Sequence, residues 1–224
     1  VLHEEGGRRE TSYEMFRFDA HGFTEHRGRG LPDLGLFDDP DSVVWLNVTG
    51  VEEGNLLSTL GERFGIHPVV LEDIQSTVQR PKVEEYEGYV FMIFRMLGAA
   101  GRGTEESMDS EQISLILGEH FVISFQERPG DVFGPVRSRI RGGKGRIRQS
   151  GPDYLAYALL DIVVDTYFLL LEDIEEEMEA LEDLLEEGRT ETVPEKIRRS
   201  KAELITVRRA VRPLREVVDY MHKE

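Results

Sequence analysis

The sequence contains no cysteine, so disulfide bonds and thiolate metal ligation are both excluded. It also lacks a charged-then-apolar leader at its start, and the two absences together fit a reducing cytoplasm. Apolar runs such as Tyr89 to Phe94 fall far short of the ~20 residues a membrane helix needs, which predicts a water-soluble chain. The familiar catalytic templates are missing too: there is no Gly-x-Gly-x-x-Gly, no Gly-x-Ser-x-Gly and no His-Glu-x-x-His. Gly142-Gly143-Lys144-Gly145 has neither the spacing nor the Ser or Thr of a phosphate loop. We therefore expect no enzyme. With only six scattered His, a metal site has to be built from oxygen, which selects Mg²⁺, Ca²⁺ or Mn²⁺ over zinc.

Positive charge is scarce. Lys and Arg number 27 against 44 Asp and Glu, a formal net charge of -17. Nucleic acid and anionic lipid are repelled at long range by such a body, and cations are its natural counterions. Solubility alone is the ordinary alternative. The segment from Arg137 to Arg148 runs against this trend, with six basic residues among glycines, and reads as a solvated loop near lipid headgroups or an acidic helix. A start at Val1 rather than Met, and an end at Glu224 inside a helical pattern, predict a piece of a longer chain.

Patterning divides the chain into 1–150 and 151–224. The first part mixes strands and helices. Strands are predicted at Tyr13 to Asp19, Val43 to Val48 around Trp45, Val83 to Leu97, Gln112 to Leu117 and Phe121 to Gln126, the last two paired antiparallel across Gly118-Glu119-His120. Helices are predicted from Val51 to Phe64, from Pro68 to about Ile74, and from Asp131 to Ile140 before Gly142-Gly143. This is an α+β class fold, an α/β/α sandwich with helices flanking a mixed sheet.

The second part is a long antiparallel helical hairpin packing on that sheet. Ser150-Gly151-Pro152-Asp153 has the form of a capping box, and the helical pattern then runs unbroken to Glu187, about 50 Å at ~1.5 Å per residue. Its apolar stripe is Leu159, Val163, Leu170, Ile174, Met178, Leu181 and Leu185. From Asp153 to Glu187 it carries thirteen Asp or Glu and no Lys or Arg. Thr192-Val193-Pro194-Glu195 begins a basic helix with a heptad row at Ile197, Leu204, Val211 and Val218, and a second row at Val207, Leu214 and Met221. Charge complementarity between the two helices is expected, with a kink or break at Pro213.

The stretch richest in chemistry is His67 to Ile74, followed by Gln79-Arg80-Pro81-Lys82-Val83-Glu84. On a short helix with Val70, Leu71 and Ile74 inward, Glu72 and Asp73 are expected outward as adjacent carboxylates. Together with Ser110 to Leu117, Gly130-Asp131-Val132-Phe133, Asp153-Tyr154-Leu155 running into Leu160 to Asp165, and Pro213-Leu214-Arg215-Glu216-Val217, this stretch resembles the CorA family of magnesium channels. The resemblance covers nearly the whole chain, more weakly before Val43.

What it implies is a homopentamer with an α/β/α domain on the cytoplasmic face of the inner membrane, reaching the bilayer through C-terminal helices beyond Glu224. It also implies a regulatory divalent cation, Mg²⁺ with Co²⁺ as the alternative, held between subunits. Carried over by position, Glu72, Asp73 and Asp161 are ligand candidates and Asp165 a weaker one. Three other readings compete: a zinc transporter of the same superfamily, a soluble metal-dependent enzyme centred on Glu72, Asp73 and Asp161, and an interaction module docking through its hairpin.

Overall fold

Seven strands, most of them rich in β-branched and aromatic residues, join in one sheet among the described residues. In the computed structural model, which describes residues 11–50, 55–98 and 108–222, these are β1 (Ser12–Phe18), β2 (Phe23–Arg29), β3 (Val43–Thr49), β4 (Lys82–Tyr86), β5 (Tyr89–Gly98), β6 (Asp109–Gly118) and β7 (Phe121–Gln126). Their order across the sheet is β2-β1-β3-β7-β6-β5-β4. β3 and β7 pair in parallel at the centre, and the other neighbours are antiparallel.

Because side chains alternate along a strand, each face of the sheet presents its own apolar layer. Met15, Leu46, Phe91 and Ile93 face α1 (Asn55–Phe64) and α2 (Pro68–Gln75). Their neighbours Phe16, Trp45, Met92 and Phe94 face α3 (Gly134–Gly142), α4 (Pro152–Glu186) and α5 (Val193–Met221). The architecture is thus an α/β/α sandwich, with the α4–α5 hairpin sharing the core of the sheet. The single tryptophan is fully buried, and its Nε1 donates to Ser124 Oγ at 3.0 Å, which in turn donates to Asn47 Oδ1 at 2.6 Å.

Several local expectations need correction. The stretch from Val83 to Leu97 is two strands, because Glu87-Gly88 makes a two-residue hairpin turn in which Gly88 adopts φ +86. β2 and its hairpin with β1 carry too many polar residues to read as a strand from sequence. The first residues of the expected helix from Val51 lie outside the described residues; α1 begins at Asn55. Neither capping box is made: α4 starts from Gly151, and Thr192 already has helical backbone angles, so its side chain makes no capping bond. Pro213 does not break α5, which runs continuously through it.

The two heptad rows of α5 have different fates. Val207 and Leu214 are buried with Val193, Ala210 and Val217, because that face meets the sheet and α4. Ile197, Leu204, Val211 and Val218 are all more than 40% exposed. In α4, Leu185 is likewise exposed rather than part of the buried stripe.

α4 has the length its helical pattern predicts but is more apolar than the short runs suggested. One 18-residue window has mean hydropathy 1.7, enough by length and composition to cross a membrane. Half of that window is buried, with Leu155, Leu159, Val163 and Tyr167 packed into the sheet core.

The basic segment from Arg137 to Arg148 is not a free loop. Arg137 pairs with Asp131 and Glu14 and lies 5.4 Å from the Trp45 ring centre. Arg141 grips Glu25 of β2 through two 2.8 Å contacts, and Arg148 donates to the carbonyls of Ile140 and Arg141.

Candidate metal centre

α2 is short and fixed at its start. His67 caps it, with Nδ1 accepting from the Val69 N–H at 3.2 Å, while the His67 N–H donates to the Tyr89 hydroxyl at 2.9 Å. Pro68 occupies the first turn, where its missing N–H costs nothing. The buried residues are Val70, Asp73 and Ile74, which share one face because positions three and four apart coincide in a helix.

Asp73 is therefore not outward-facing, as the sequence predicts, but only 8% exposed. Leu71, expected inward, is half-buried, and Glu72 alone of the acidic pair is exposed. A buried carboxylate needs a partner, and it has one. Lys82 Nζ on β4 contacts Asp73 Oδ2 at 2.7 Å and Glu84 Oε1 at 2.8 Å. Glu84 Oε2 accepts from the Tyr86 hydroxyl at 3.1 Å, and the Lys82 ammonium sits 5.5 Å from the Phe91 ring centre.

Burial works against the charge of Lys82, but the bonds to Asp73 and Glu84 outweigh it and hold the ammonium above the ordinary lysine pKa. The segment between α2 and β4 is held independently. Gln112 Nε2 donates to the Asp73 carbonyl at 2.9 Å, and Gln112 Oε1 accepts from the Gln79 N–H at 3.1 Å.

Lys82 and Glu84 had no assigned role in the sequence reading. The available signal was their i, i+2 spacing on a strand, which places both on one face. What no spacing supplied was that this face looks onto Asp73.

Asp161 and Asp165 sit elsewhere. Both belong to α4, where Asp161 Oδ1 accepts from the Tyr157 hydroxyl at 3.4 Å and Asp165 is exposed. The charge of Asp161 is the main reason the Tyr157 hydroxyl has a raised pKa. α2 packs on one face of the sheet and α4 on the other, so the fold separates the two pairs of candidates. Among the described residues, no cluster of three or more His, Asp or Glu is arranged to hold a metal. The donors fit a hard cation in kind, being carboxylate oxygens. In number they are too few within one chain.

The family described as CorA-like Mg²⁺ transporter protein matches residues 40–224. The chain belongs to this family. It is 40% identical over 218 residues to the cobalt/magnesium transport protein CorA of Thermotoga maritima, covering 97% of this chain and 61% of that protein. The CorA-like chain thus spans about three-fifths of that relative's length.

Two solved structures share the fold. The complete CorA magnesium transporter of Methanocaldococcus jannaschii superposes with a TM-score of 0.69 at 19% identity, covering 94% of this chain and 63% of that one. The ZntB cytoplasmic domain of Vibrio parahaemolyticus gives 0.65 at 14% identity, covering 93% and 80% respectively.

Proposed function

We propose that this CorA-like chain is the cytoplasmic regulatory part of a divalent-cation channel at the inner face of the cell membrane. In this reading it assembles as a homopentamer, meets the bilayer through helices C-terminal to Glu224, and senses Mg²⁺, or Co²⁺ as the alternative, at carboxylates between subunits. The observation that carries the reading is the position of Asp73: a nearly buried carboxylate, neutralised by a single flexible lysine, on the opposite face of the sheet from Asp161 and Asp165. Carboxylates so divided cannot share an ion within one chain. They can share it between two.

A bound divalent cation would supply the positive charge that lets carboxylates of neighbouring copies approach. Glu72 and Asp73 would be the ligands on α2, with Asp161 and, more weakly, Asp165 on α4. To admit the ion, Lys82 swings away from Asp73 and stays paired with Glu84. When the ion leaves, Lys82 returns and the carboxylates of adjacent subunits repel. Since occupancy and subunit arrangement are linked, any preference of the ion for the closed arrangement stabilises that arrangement equally.

The test is Asp73→Ala in the full-length transporter. Protection against proteolysis by Mg²⁺ should weaken, shifting to higher concentration. Protection unchanged at every Mg²⁺ concentration rules out the role given to Asp73. The second reading, zinc transport, is favoured by the fold likeness to the ZntB cytoplasmic domain. Uptake of Zn²⁺ without uptake of Mg²⁺ by the full-length protein would select it.

A further inference from the structure

The loop entering β4, α5 and the neighbouring residues Arg95 of β5 and Ser110 of β6 line a cleft of about 770 Å³. Five arginines line it: Arg80, Arg95, Arg208, Arg209 and Arg212. Among the described residues that line it there is no Asp or Glu. In a chain with 44 acidic and 27 basic residues this is a strong local inversion of charge.

Several arginines elsewhere in the fold are neutralised by contact. Arg17, Arg63, Arg128 and Arg141 are each paired with a carboxylate, on Asp39, Asp38, Asp109 and Glu25 in turn. Arg80, Arg208, Arg209 and Arg212 are exposed and have no ion pair among the described residues. Arg208 and Arg212 stand one helical turn apart, which keeps two like charges adjacent at a cost of a few tenths of a kcal/mol.

Arg95 adds an independent observation. Its side chain is partly buried, and among the described residues its guanidinium bonds only to neutral oxygens: Nε to Ser110 Oγ at 3.0 Å, Nη2 to the Ser110 carbonyl at 2.8 Å and Nη1 to the Thr77 carbonyl at 2.8 Å. Burial lowers its pKa, and Glu127 and Glu111 offset this only through space. The side chain is thus fixed in place with its charge unanswered by contact. A buried cation without a counter-ion is costly unless an anion completes it.

The rest of the wall is apolar, from Val78, Pro81, Ile205, Ala210 and Pro213. A cleft of this volume is of the size that takes small molecules. Guanidinium groups match phosphate oxygens in geometry and stay charged at all physiological pH.

We propose that this cleft binds a polyphosphate anion, its phosphates on Arg208, Arg209, Arg212 and Arg95. A nucleoside triphosphate and inorganic polyphosphate share that chemistry; only the first uses the apolar wall, for its base. The proposal is independent of the carboxylate reading, because it invokes neither Asp73 nor a divalent cation.

The experiment is calorimetric titration of the chain, without added divalent cation and at low salt, with ATP and separately with tripolyphosphate. Both should bind, and binding should weaken steeply with salt. Arg208→Gln with Arg212→Gln should reduce the affinity for both by about tenfold or more, with the melting temperature unchanged or slightly higher. Tighter binding of ATP than of tripolyphosphate assigns the base to the apolar wall, and equal binding assigns the site to phosphates alone. Absence of binding for both ligands, or binding that the double substitution leaves intact, overturns the proposal.

Discussion

In the proposed site, Lys82 holds the place that a cation would take. Among the described residues it is the one side chain bonded to the Asp73 carboxylate, and it keeps a second acceptor, Glu84, that can retain it when Asp73 is released. Methionine at this position preserves a long apolar stem against Phe91 and removes the charge. Lys82→Met should therefore lower the Mg²⁺ concentration for half-protection of the full-length transporter about fivefold, since the ion no longer displaces an ammonium worth on the order of 1 kcal/mol. An unmoved or raised midpoint in the same proteolysis series would exclude competition between lysine and metal. The same substitution should cost some stability without metal, because Asp73 loses its partner.

The residue scale is also where the sequence misled most. Glu72 and Asp73 look equivalent in a string, and helical periodicity places one of the two inward depending on where the helix begins. Val70 and Ile74 are the anchors, so Asp73 follows them into the protein. Neither heptad nor motif could rank these two carboxylates.

Among the elements, β2 depends on partners remote in sequence. Its residues are mostly exposed, and beyond its ladder with β1 it is clamped by Glu25, which accepts from Arg141 of α3. The hydrogen bond from Arg141 is the main cause holding the Glu25 carboxyl below its ordinary value of 4.5, with burial opposing. A folded-state pKa below the unfolded one gives stability that is present above the unfolded value and disappears as pH falls through the folded value. Glu25→Gln should lower unfolding free energy at pH 7 by at most about 1 kcal/mol, since both groups are partly solvated. In urea titrations the difference from the parent chain should vanish below the folded-state pKa; a difference that persists there would place the cause in packing.

The hairpin helices are the elements most legible in the sequence, because a 3.6-residue period sustained over so many turns leaves little alternative. Their caps were not legible. Gly151 rather than Ser150 borders α4, and the Thr192 side chain is turned from its capping role by a helical ψ of -11. The turn inside β4–β5 was missed for a related reason: a Glu-Gly pair in an apolar run is a weak signal until Tyr86 and Tyr89 are seen to pair.

For the molecule as a whole, the excess of negative charge concentrates on α4. Sequence favours neutralisation of this helix by the basic α5. Glu177 meets α5 through the Ser200 hydroxyl at 3.0 Å. Glu175, Glu176 and Glu179 are exposed and have no ion pair among the described residues.

Replacing these three with Gln should therefore leave thermal stability intact or raise the melting temperature by about 1–2 °C, as like-charge repulsion worth a few tenths of a kcal/mol per pair is relieved. A fall of several degrees by calorimetry would show that they are paired after all. If they concentrate cations near a pore, the same triple change in the full-length transporter should reduce ion flux while stability holds.

The sequence by itself determined the fold class, the hairpin and the family, since these rest on periodicity and ordered motifs that are written locally. The absence of Cys also excluded thiolate ligands from any metal site in this chain. Tertiary structure alone decided that Asp73 is buried against Lys82, that the α2 and α4 carboxylates lie on opposite faces of the sheet, and that five arginines from three separate stretches meet in one cleft. Those outcomes depend on which strand lies beside which, and on the side from which each helix covers the sheet. Such relations between distant residues are set by the packing of the whole core, which no local pattern encodes.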